Sequence, residues 1–345
     1  VTAVRADGTQ AEIPIQPPGS CQVGIHLEQD ERRVVEEVLN RAVEGQQVLW
    51  VENTVREAQQ TFLDLASRGA ELGVECGLIH SRFTKADRQD LEDRWLEFYG
   101  KGGWEVRRCR GHILVGTQVL EQSLDIDADF LVGRIAPTDL MLQRMGRLWR
   151  HEGTPRPPQA KREAWWIAPE YQEAVEDPDR SFSGTAHVYS PYVLCRSLEV
   201  WQERQQVFLP DEVRMLIEKT YEEREEQGLM NRWKHELEHG TNRHIGVGAM
   251  RQLANITLSE SGITRSDTHA PTRYSETDYI EVLLVRNIRL EPDQRQSRLR
   301  LRNREEVILP WQRHRLSKAR WRQLSVRLMR QTLSILPHDD PGPVS

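Results

Sequence analysis

The chain has 345 residues, 38% of them hydrophobic and 29% charged, and this length predicts about two globular domains. No apolar run approaches the roughly 18 residues that a membrane span needs, and the first twenty residues lack a signal-peptide pattern. The net charge of −6 argues against wholesale wrapping by nucleic acid, and the four widely spaced cysteines fit reduced thiols in a cytoplasmic protein.

Strands and helices are predicted to alternate along the first half of the chain. Residues 1–29 are interpreted as a loop or linker, because the turn sequence PPGS follows only weak strand alternation. Helical spacing then covers residues 31–43, 56–68, 85–99 and 140–150, and short apolar strands are predicted at 47–52, 74–79, 112–117, 129–135 and 164–168. This alternation predicts an α/β fold whose parallel sheet is covered by helices on both faces.

The character of the sequence changes after His151. We place a helical linker region at 171–240, a smaller mixed α/β accessory domain at 241–336 with a strand near 279–285, and a disordered tail at 337–345. Residues 211–240 hold nine acids and five bases, whereas residues 281–330 hold fourteen bases and five acids. Arginines interleaved with Trp311 and Trp321 can bind phosphates and stack on bases; the alternative is a solvated face that pairs with the acidic stretch.

Two segments carry the residue types of a phosphate site. Residues 113–127, ILVGTQVLEQSLDID, read as a buried strand that opens into a loop of hydroxyl, amide and carboxylate side chains. Residues 140–151, LMLQRMGRLWRH, would as a helix place Arg144, Arg147 and Arg150 roughly along one side, where three cations repel unless an anion lies between them. Gly146 costs such a helix ~1 kcal/mol against alanine, which suggests close approach by a ligand or another backbone. Because loops after the carboxyl ends of strands form the ligand crevice of such a sheet, we expect both segments to reach one crevice and contact a triphosphate.

Four segments resemble, in order and spacing, motifs IV to VI of superfamily 2 helicases: NTVREAQ, HSRF, ILVGTQVLEQSLDID and QRMGRLWRH. The sequence EQSLDID followed by APTDLMLQRMGRLWRH is similar in particular to the helicase–nuclease of type I CRISPR systems. The resemblance covers most of residues 30–225. It implies that residues 30–170 form a RecA-like second lobe, followed by the accessory region.

The resemblance also implies roles for individual residues. Arg147 and Arg150 correspond to the arginines that reach the γ-phosphate and are the predicted catalytic residues. Cofactor contacts are implied for Asp125, near the ribose hydroxyls, and for Gln143, Arg144 and Gly146. DNA contacts are implied for Asn53, Thr54, Ser81, Arg82, Thr117 and Gln118, and small hydroxyls and amides suit such contacts because they bind phosphates without reading bases.

Each of these residues also has an ordinary structural interpretation. Asp125 could cap a turn, as could Asp127 and Asp129. Arg144 could pair with Glu121 or Asp139 on the surface, and Thr117 could simply end a strand.

The implied enzyme is an ATP-dependent helicase that translocates 3′ to 5′ on single-stranded DNA during CRISPR interference, an antiviral defence. Its implied partners are a crRNA-guided surveillance complex and an HD nuclease domain; no membrane partner is expected. The sequence contains no GxxxxGK[ST] phosphate loop, DEAD- or DEAH-like box, or paired His-Asp set. ATP and Mg²⁺ would therefore be held mainly by a missing phosphate-loop lobe, in cis or in trans, and this chain alone is expected to be inactive. Another superfamily 2 DNA or RNA helicase half is the alternative.

Two other function classes are open. Residues 235–239, HELEH, satisfy the HExxH pattern of zinc peptidases, with His244 as the candidate third ligand. Their strongly polar flanks instead favour a charged surface helix that ends at Gly240, so no metal site is predicted. The second of these classes is a non-catalytic interaction module formed by the region after residue 240.

Overall fold

The computed structural model describes residues 2–4, 10–12, 19–107, 110–122, 124–241, 245–251 and 280–335. Strands β1 (Thr2–Val4) and β2 (Gln10–Glu12) form an antiparallel pair. The central sheet has the strand order β5-β6-β4-β7-β8-β3-β9. Its strands are β3 (Cys21–Glu28), β4 (Gln47–Val51), β5 (Glu75–Ile79), β6 (His112–Gly116), β7 (Phe130–Arg134), β8 (Glu163–Ile167) and β9 (Gln206–Leu209).

Helices cover both faces of this sheet. They are α1 (Glu31–Val43), α2 (Val55–Glu71), α3 (Lys85–Tyr99), α4 (Trp104–Arg107), α5 (Val119–Gln122) and α6 (Thr138–Met145). Alternate residues of β4 divide between the two cores: Val48 and Trp50 pack with α1 and α2, whereas Leu49 and Val51 pack in the core that contains α3 and α6. All neighbouring strands pair in parallel except β9, which is antiparallel to β3. The predicted α/β fold class is confirmed.

The helices of the next region extend the core on the α3 and α6 side. They are α7 (Tyr171–Glu176), α8 (Pro178–Phe182), α9 (Pro191–Trp201), α10 (Val213–Tyr221) and α11 (Gly228–His239). Leu194 and Trp201 of α9 and Leu216 of α10 are buried in the same hydrophobic cluster as Met141 of α6. No described helix is long and apolar enough to cross a membrane.

Residues 280–335 form a small unit that we call the C-terminal module. It contains β10 (Ile280–Leu283), β11 (Val285–Glu291), β12 (Gln296–Leu301), β13 (Glu306–Pro310), α12 (Lys318–Met329) and β14 (Thr332–Ile335). Strands β11 to β13 form an antiparallel sheet, β10 pairs with β14, and α12 packs through Leu324 on Leu299, Leu301 and Val307. The mixed α/β character predicted for this region is confirmed for its described part.

The structure corrects the predicted boundaries of the parallel sheet. Residues 21–28, assigned to a loop, form β3, whose residues from Gly24 to Glu28 pair with the whole of β8. Beyond residue 170, β9 adds the seventh strand beside β3. The sheet and its core therefore extend past both ends of the predicted 30–170 lobe, because the pairing partners of β3 lie more than a hundred residues away in the sequence.

The helix predicted over 140–150 is shorter than expected. Helix α6 ends at Met145, with Gly146 as its C-cap. The next residues leave the helix because Leu148 forms a parallel bridge with Ala128, and Trp149 adopts a left-handed φ of 53°. Arg147 and Arg150 therefore do not share a helical face with Arg144, as the spacing had suggested.

Candidate functional site

Side chains that follow β4 and β6 meet at the carboxyl edge of the sheet. Asn53 is 2% exposed, and its amide donates to the Ile135 carbonyl at 3.0 Å and to Thr185 Oγ1 at 2.9 Å. The Gln118 amide donates to the Asn53 carbonyl and to Tyr189 Oη, both at 2.9 Å. The carboxyl edge is thus tied to residues 183–190, which follow the predicted lobe.

Arg144 lies at the centre of this network and is fully buried. Its Nε donates to Glu121 Oε1 at 2.7 Å and its Nη2 to Asn53 Oδ1 at 2.8 Å, while Nη1 donates to the Arg134 carbonyl at 3.2 Å. These contacts correct the expectation of a direct cofactor contact by Arg144, because its guanidinium is used by protein acceptors and reaches no solvent. The pairing with Glu121 foreseen as an alternative is present, but in the interior.

Arg147 and Arg150 are the accessible arginines of this segment. Arg147 is half-buried; its Nη2 donates to the Glu121 carbonyl, and its Nε has no hydrogen-bond partner in the described chain. Burial, with the neighbouring Arg150 charge, lowers the pKa of Arg147. The Arg150 side chain is 42% exposed and its Nε donates to Asp125 Oδ1 at 2.6 Å, a hydrogen bond that lowers the pKa of Asp125.

The two segments contact each other through Arg144, Arg147 and Arg150, but the pair of Arg150 and Asp125 does not lie at the carboxyl edge. The Arg150 backbone N–H donates to Asp127 Oδ1 at 2.8 Å, and Asp127 lies three residues before β7 begins. Helix α6 starts after the carboxyl end of β7 and brings the chain back toward the amino end of that strand. Arg150 and Asp125 therefore lie toward the opposite end from Asn53, with exposed Gln143 and Gly146 on the connecting segment.

The remaining predicted DNA contacts differ in exposure. Thr117 is 2% exposed at the end of β6, and Thr54 is the N-cap of α2, where its Oγ1 accepts from the Glu57 N–H at 3.1 Å. Ser81 is exposed and Arg82 half-exposed in the loop before α3. Buried His80 shapes this loop: its Nδ1 accepts from the Arg82 N–H at 3.2 Å. The side chains of Asn53 and Thr117 are thus not exposed to a ligand, in contrast to those of Ser81 and Arg82.

A buried group of four charged residues was missed by the sequence reasoning. Arg107 and Arg156 both contact Asp127 and Asp129, at distances from 2.5 to 3.0 Å. The sequence suggested only that the two aspartates could cap turns. No spacing rule could have joined them to Arg107, 20 and 22 residues upstream, or to Arg156, 29 and 27 residues downstream, because local rules reach only three or four residues along a helix.

The C-terminal module contacts the start of α3, next to Ser81 and Arg82. The Ala86 N–H donates to the Arg330 carbonyl at 2.9 Å, and Arg302 forms an ion pair of 2.5 Å with Asp87. The expected alternative, in which the basic stretch pairs with residues 211–240, does not occur within the described residues. In the described part of the basic stretch, Arg302 pairs with Asp87, and Arg298 and Arg327 pair with acids of the module itself.

The HELEH segment lies on helix α11, which ends at His239 with Gly240 as its C-cap at a φ of 84°. The rings of His235 and His239 stack with centroids 4.1 Å apart. The candidate third ligand, His244, lies outside the described residues. Among the described residues, no group of three or more His, Cys, Asp and Glu side chains could hold a metal ion. The predicted charged surface helix is confirmed.

Comparison with known proteins identifies relatives of this chain. Residues 44–153 match the family model described as CRISPR-associated nuclease/helicase Cas3, C-terminal. The chain is 34% identical over 195 residues to the CRISPR-associated endonuclease/helicase Cas3 of Escherichia coli K12, a match covering 56% of this chain and 21% of the relative. It is 35% identical over 169 residues to the Cas3 of Streptococcus thermophilus, covering 49% and 17% of the two chains. The chain thus spans about a fifth of the length of these curated relatives.

Solved structures show the same relationship over a longer stretch. The crystal structure of T. fusca Cas3-ADP superposes with a TM-score of 0.67 at 25% identity, covering 97% of this chain and 39% of the other. A chain in a CRISPR RNA-guided surveillance complex, pre-nicking, superposes with a TM-score of 0.62 at 25% identity, covering 95% and 38%. These matches confirm the resemblance on which the motif assignment rests.

Proposed function

We propose that this chain, which is homologous to the C-terminal half of the Cas3 helicases, is the second lobe of an ATP-dependent helicase that translocates 3′ to 5′ on single-stranded DNA. In this proposal Arg147 and Arg150 are arginine fingers that act in CRISPR interference. The observation that carries it is the position of these two arginines: they lie just beyond α6 and stay accessible, while Arg144 of the same motif is buried.

The arginine pair fits a polyphosphate ligand. The Nη2 of partly exposed Arg147 donates to the neutral Glu121 carbonyl, and Arg150 is exposed beside the Asp125 carboxylate. Guanidinium groups form strong, charge-assisted hydrogen bonds to phosphate oxygens, and in phosphoryl transfer they stabilise the charge that develops on the transferred group. Asp125, near the ribose in this proposal, would hold Arg150 until the nucleotide arrives. Mg²⁺ and most of the nucleotide would be bound by the phosphate-loop lobe, so this chain alone would be inactive.

The proposed DNA path runs along the loop before α3. Ser81 and Arg82 are accessible there, and the C-terminal module, with fourteen bases against five acids over residues 281–330, docks beside them. Positive charge on this side favours a polyanion through release of its counterions. Thr54 and Gln118 complete the proposed backbone contacts, whereas Asn53, Thr117 and Arg144 position the carboxyl-edge loops from within.

The proposed partners follow from the relatives. The crRNA-guided surveillance complex would recruit the intact enzyme in the cytoplasm, and an HD nuclease domain would receive the DNA strand. A helicase half from outside CRISPR systems and a purely docking module are the competing proposals. The docking proposal differs because it requires neither arginine finger.

The test is DNA-stimulated ATP hydrolysis by this chain together with its phosphate-loop lobe, joined in one polypeptide or added as a separate subunit. We expect Arg147→Ala and Arg150→Ala each to lower kcat by about 10³-fold or more, the size of effect known for arginine fingers. The matched control is Arg214→Ala, because Arg214 also forms a 2.6 Å ion pair but is 89% exposed on α10. Turnover retained by both finger variants contradicts the proposal, and partner binding unaffected by them would then favour a docking module.

A further inference from the structure

The buried four-residue group described above is built with a near symmetry between its two aspartates. Asp127 and Asp129 are 0% and 1% exposed. Arg107 bridges the two carboxylates at 3.0 Å each, and Arg156 bridges them at 2.8 and 2.5 Å. Two cations thus face two anions, and burial of such a set is tolerated only when each charge is paired and hydrogen-bonded.

The two aspartates differ in the backbone N–H that each accepts. Asp129 Oδ2 accepts from the N–H of Gln47, the first residue of β4, at 2.7 Å. Asp127 Oδ1 accepts from the N–H of Arg150 at 2.8 Å. One carboxylate is therefore tied to the sheet and the other to the segment that carries the arginine fingers.

The segment from Arg147 to Arg150 is also held by backbone hydrogen bonds: the Arg147 and Leu148 N–H groups donate to the Arg144 and Met145 carbonyls at 2.9 and 3.0 Å. Among the backbone N–H groups of residues 147–150, that of Arg150 is the one that donates to a charged side chain. Ala128 donates its N–H to the Arg147 carbonyl and accepts from the Trp149 N–H, both at 2.9 Å. Trp149 adopts a left-handed φ of 53°, which is costly for a residue with a side chain. The Arg156 guanidinium lies over the Trp149 ring, 4.8 Å from its centroid. The charged group thus contacts the turn at Arg150 and at Trp149.

We propose that Asp127 is a positioning residue for the arginine fingers, because its buried carboxylate, fixed by Arg107 and Arg156, holds the backbone turn from which Arg147 and Arg150 extend. This inference rests on the proposed function as far as the role of the fingers is concerned. The hold on the turn itself is independent of any activity. Asp127 lies behind the fingers and contacts the backbone of Arg150, so it acts through that residue.

The near symmetry supplies a matched pair of variants, Asp127→Ala and Asp129→Ala. Each removes one buried carboxylate from the same two arginines, so both should lower the melting temperature to a similar degree. Two further quantities are measured at a temperature where both variants are folded by circular dichroism. One is the hydrogen-exchange rate of the Arg150 amide in this chain, and the other is kcat and KM for DNA-stimulated ATP hydrolysis with the phosphate-loop lobe.

We expect Asp127→Ala to speed exchange of the Arg150 amide by about tenfold or more, since a hydrogen bond to a charged acceptor is lost. We also expect it to lower kcat at least about tenfold, with KM for ATP nearly unchanged, because misplaced fingers fail only in the transition state. Asp129→Ala keeps the carboxylate that accepts from the Arg150 N–H, so it should change both quantities much less than Asp127→Ala.

Equal effects of the two variants on exchange and kcat overturn the proposal, since the aspartates would then only stabilise the fold. Unchanged kcat in Asp127→Ala overturns it as well. If the wild-type enzyme does not hydrolyse ATP, the proposed function fails, and exchange at Arg150 alone decides whether Asp127 holds the turn. If the alanine variants do not fold, Asp127→Asn and Asp129→Asn, which keep the side-chain volume, are compared in the same way.

Discussion

Replacing Arg144 by methionine should strongly destabilise the fold. Methionine is unbranched like arginine and reaches about as far as the arginine Nε, but it lacks the guanidinium charge and all its donors. Glu121, which is 4% exposed, would lose the cation 2.7 Å from its carboxylate, and Asn53 would lose the donor to its Oδ1. We expect the free energy of unfolding to fall by ~3–5 kcal/mol, the cost of removing one partner from a buried ion pair.

The magnitude follows from the three hydrogen bonds that Arg144 donates. At ~1.5–3 kcal/mol for each bond that involves a charged group, their sum is larger than the expected effect. The difference arises because the variant no longer has to remove a guanidinium from water. Arg214→Met is the control: its 2.6 Å pair with Glu218 is solvent-exposed and should contribute at most ~1 kcal/mol.

The assay is urea unfolding of this chain, followed by tryptophan fluorescence, with both variants measured beside the wild type. The double variant Arg144→Met with Glu121→Leu should recover part of the loss, because no buried carboxylate is then left without its cation. Should Arg144→Met cost no more than Arg214→Met, the view that Arg144 joins the two carboxyl-edge loops from the interior is wrong.

Two further predictions concern acid and packing. Burial lowers the pKa of His80 and of His112 from 6.5 to about 4, so the unfolded chain binds protons more tightly. The free energy of unfolding should therefore fall as the pH drops from 6.5 toward 4, whereas this effect is absent above pH 6.5. His112→Gln should make the fall less steep. Urea unfolding at several pH values measures it, and a fall as steep in His112→Gln as in the wild type would contradict the assignment. Separately, a Cβ at Gly77 would lie 2.0 Å from the Trp95 ring, whereas one at Gly19 meets nothing within 4 Å. Gly77→Ala should thus lower the unfolding free energy by about 1–3 kcal/mol and Gly19→Ala hardly at all, and equal melting temperatures for the two would refute the packing argument.

Local signals predicted part of the fold closely. Helices α1 and α3 begin and end where the spacing of apolar residues placed them, at Glu31–Val43 and Lys85–Tyr99. Each is preceded by a residue whose side chain caps its first turn, Asp30 and Thr84. Where periodicity and capping agree within a few residues, the sequence is sufficient to define the element.

Elements set by distant partners could not be predicted in this way. Strand β3 lacks a clear apolar run, and it becomes a strand because β8 and β9 pair with it on either side. Helix α6 stops at Met145 because the next residues bridge to Ala128, a contact that no local pattern encodes. Tertiary pairing overrides local propensity at both places.

The segments chosen by the motif resemblance lie within residues 44–153, the part of the chain that the family model matches, and their roles stay predictions. The resemblance could not distinguish the accessible Arg150 from the buried Arg144, because both are arginines of one motif and only the packing of α6 separates them. The burial of Asn53 likewise depends on Thr185, which lies more than a hundred residues further along the chain.

The place of β3 and β9 in the sheet has a practical consequence for anyone who wishes to express this lobe in isolation. A fragment cut at residues 30 and 170 would lose β3 and β9, two of the seven strands. Strand β8 would then be an edge strand whose backbone N–H and C=O groups lack the partners that β3 provides. Such an edge recruits strands from other molecules, and the outcome is precipitation. A soluble fragment has to begin before Cys21 and to run through α11.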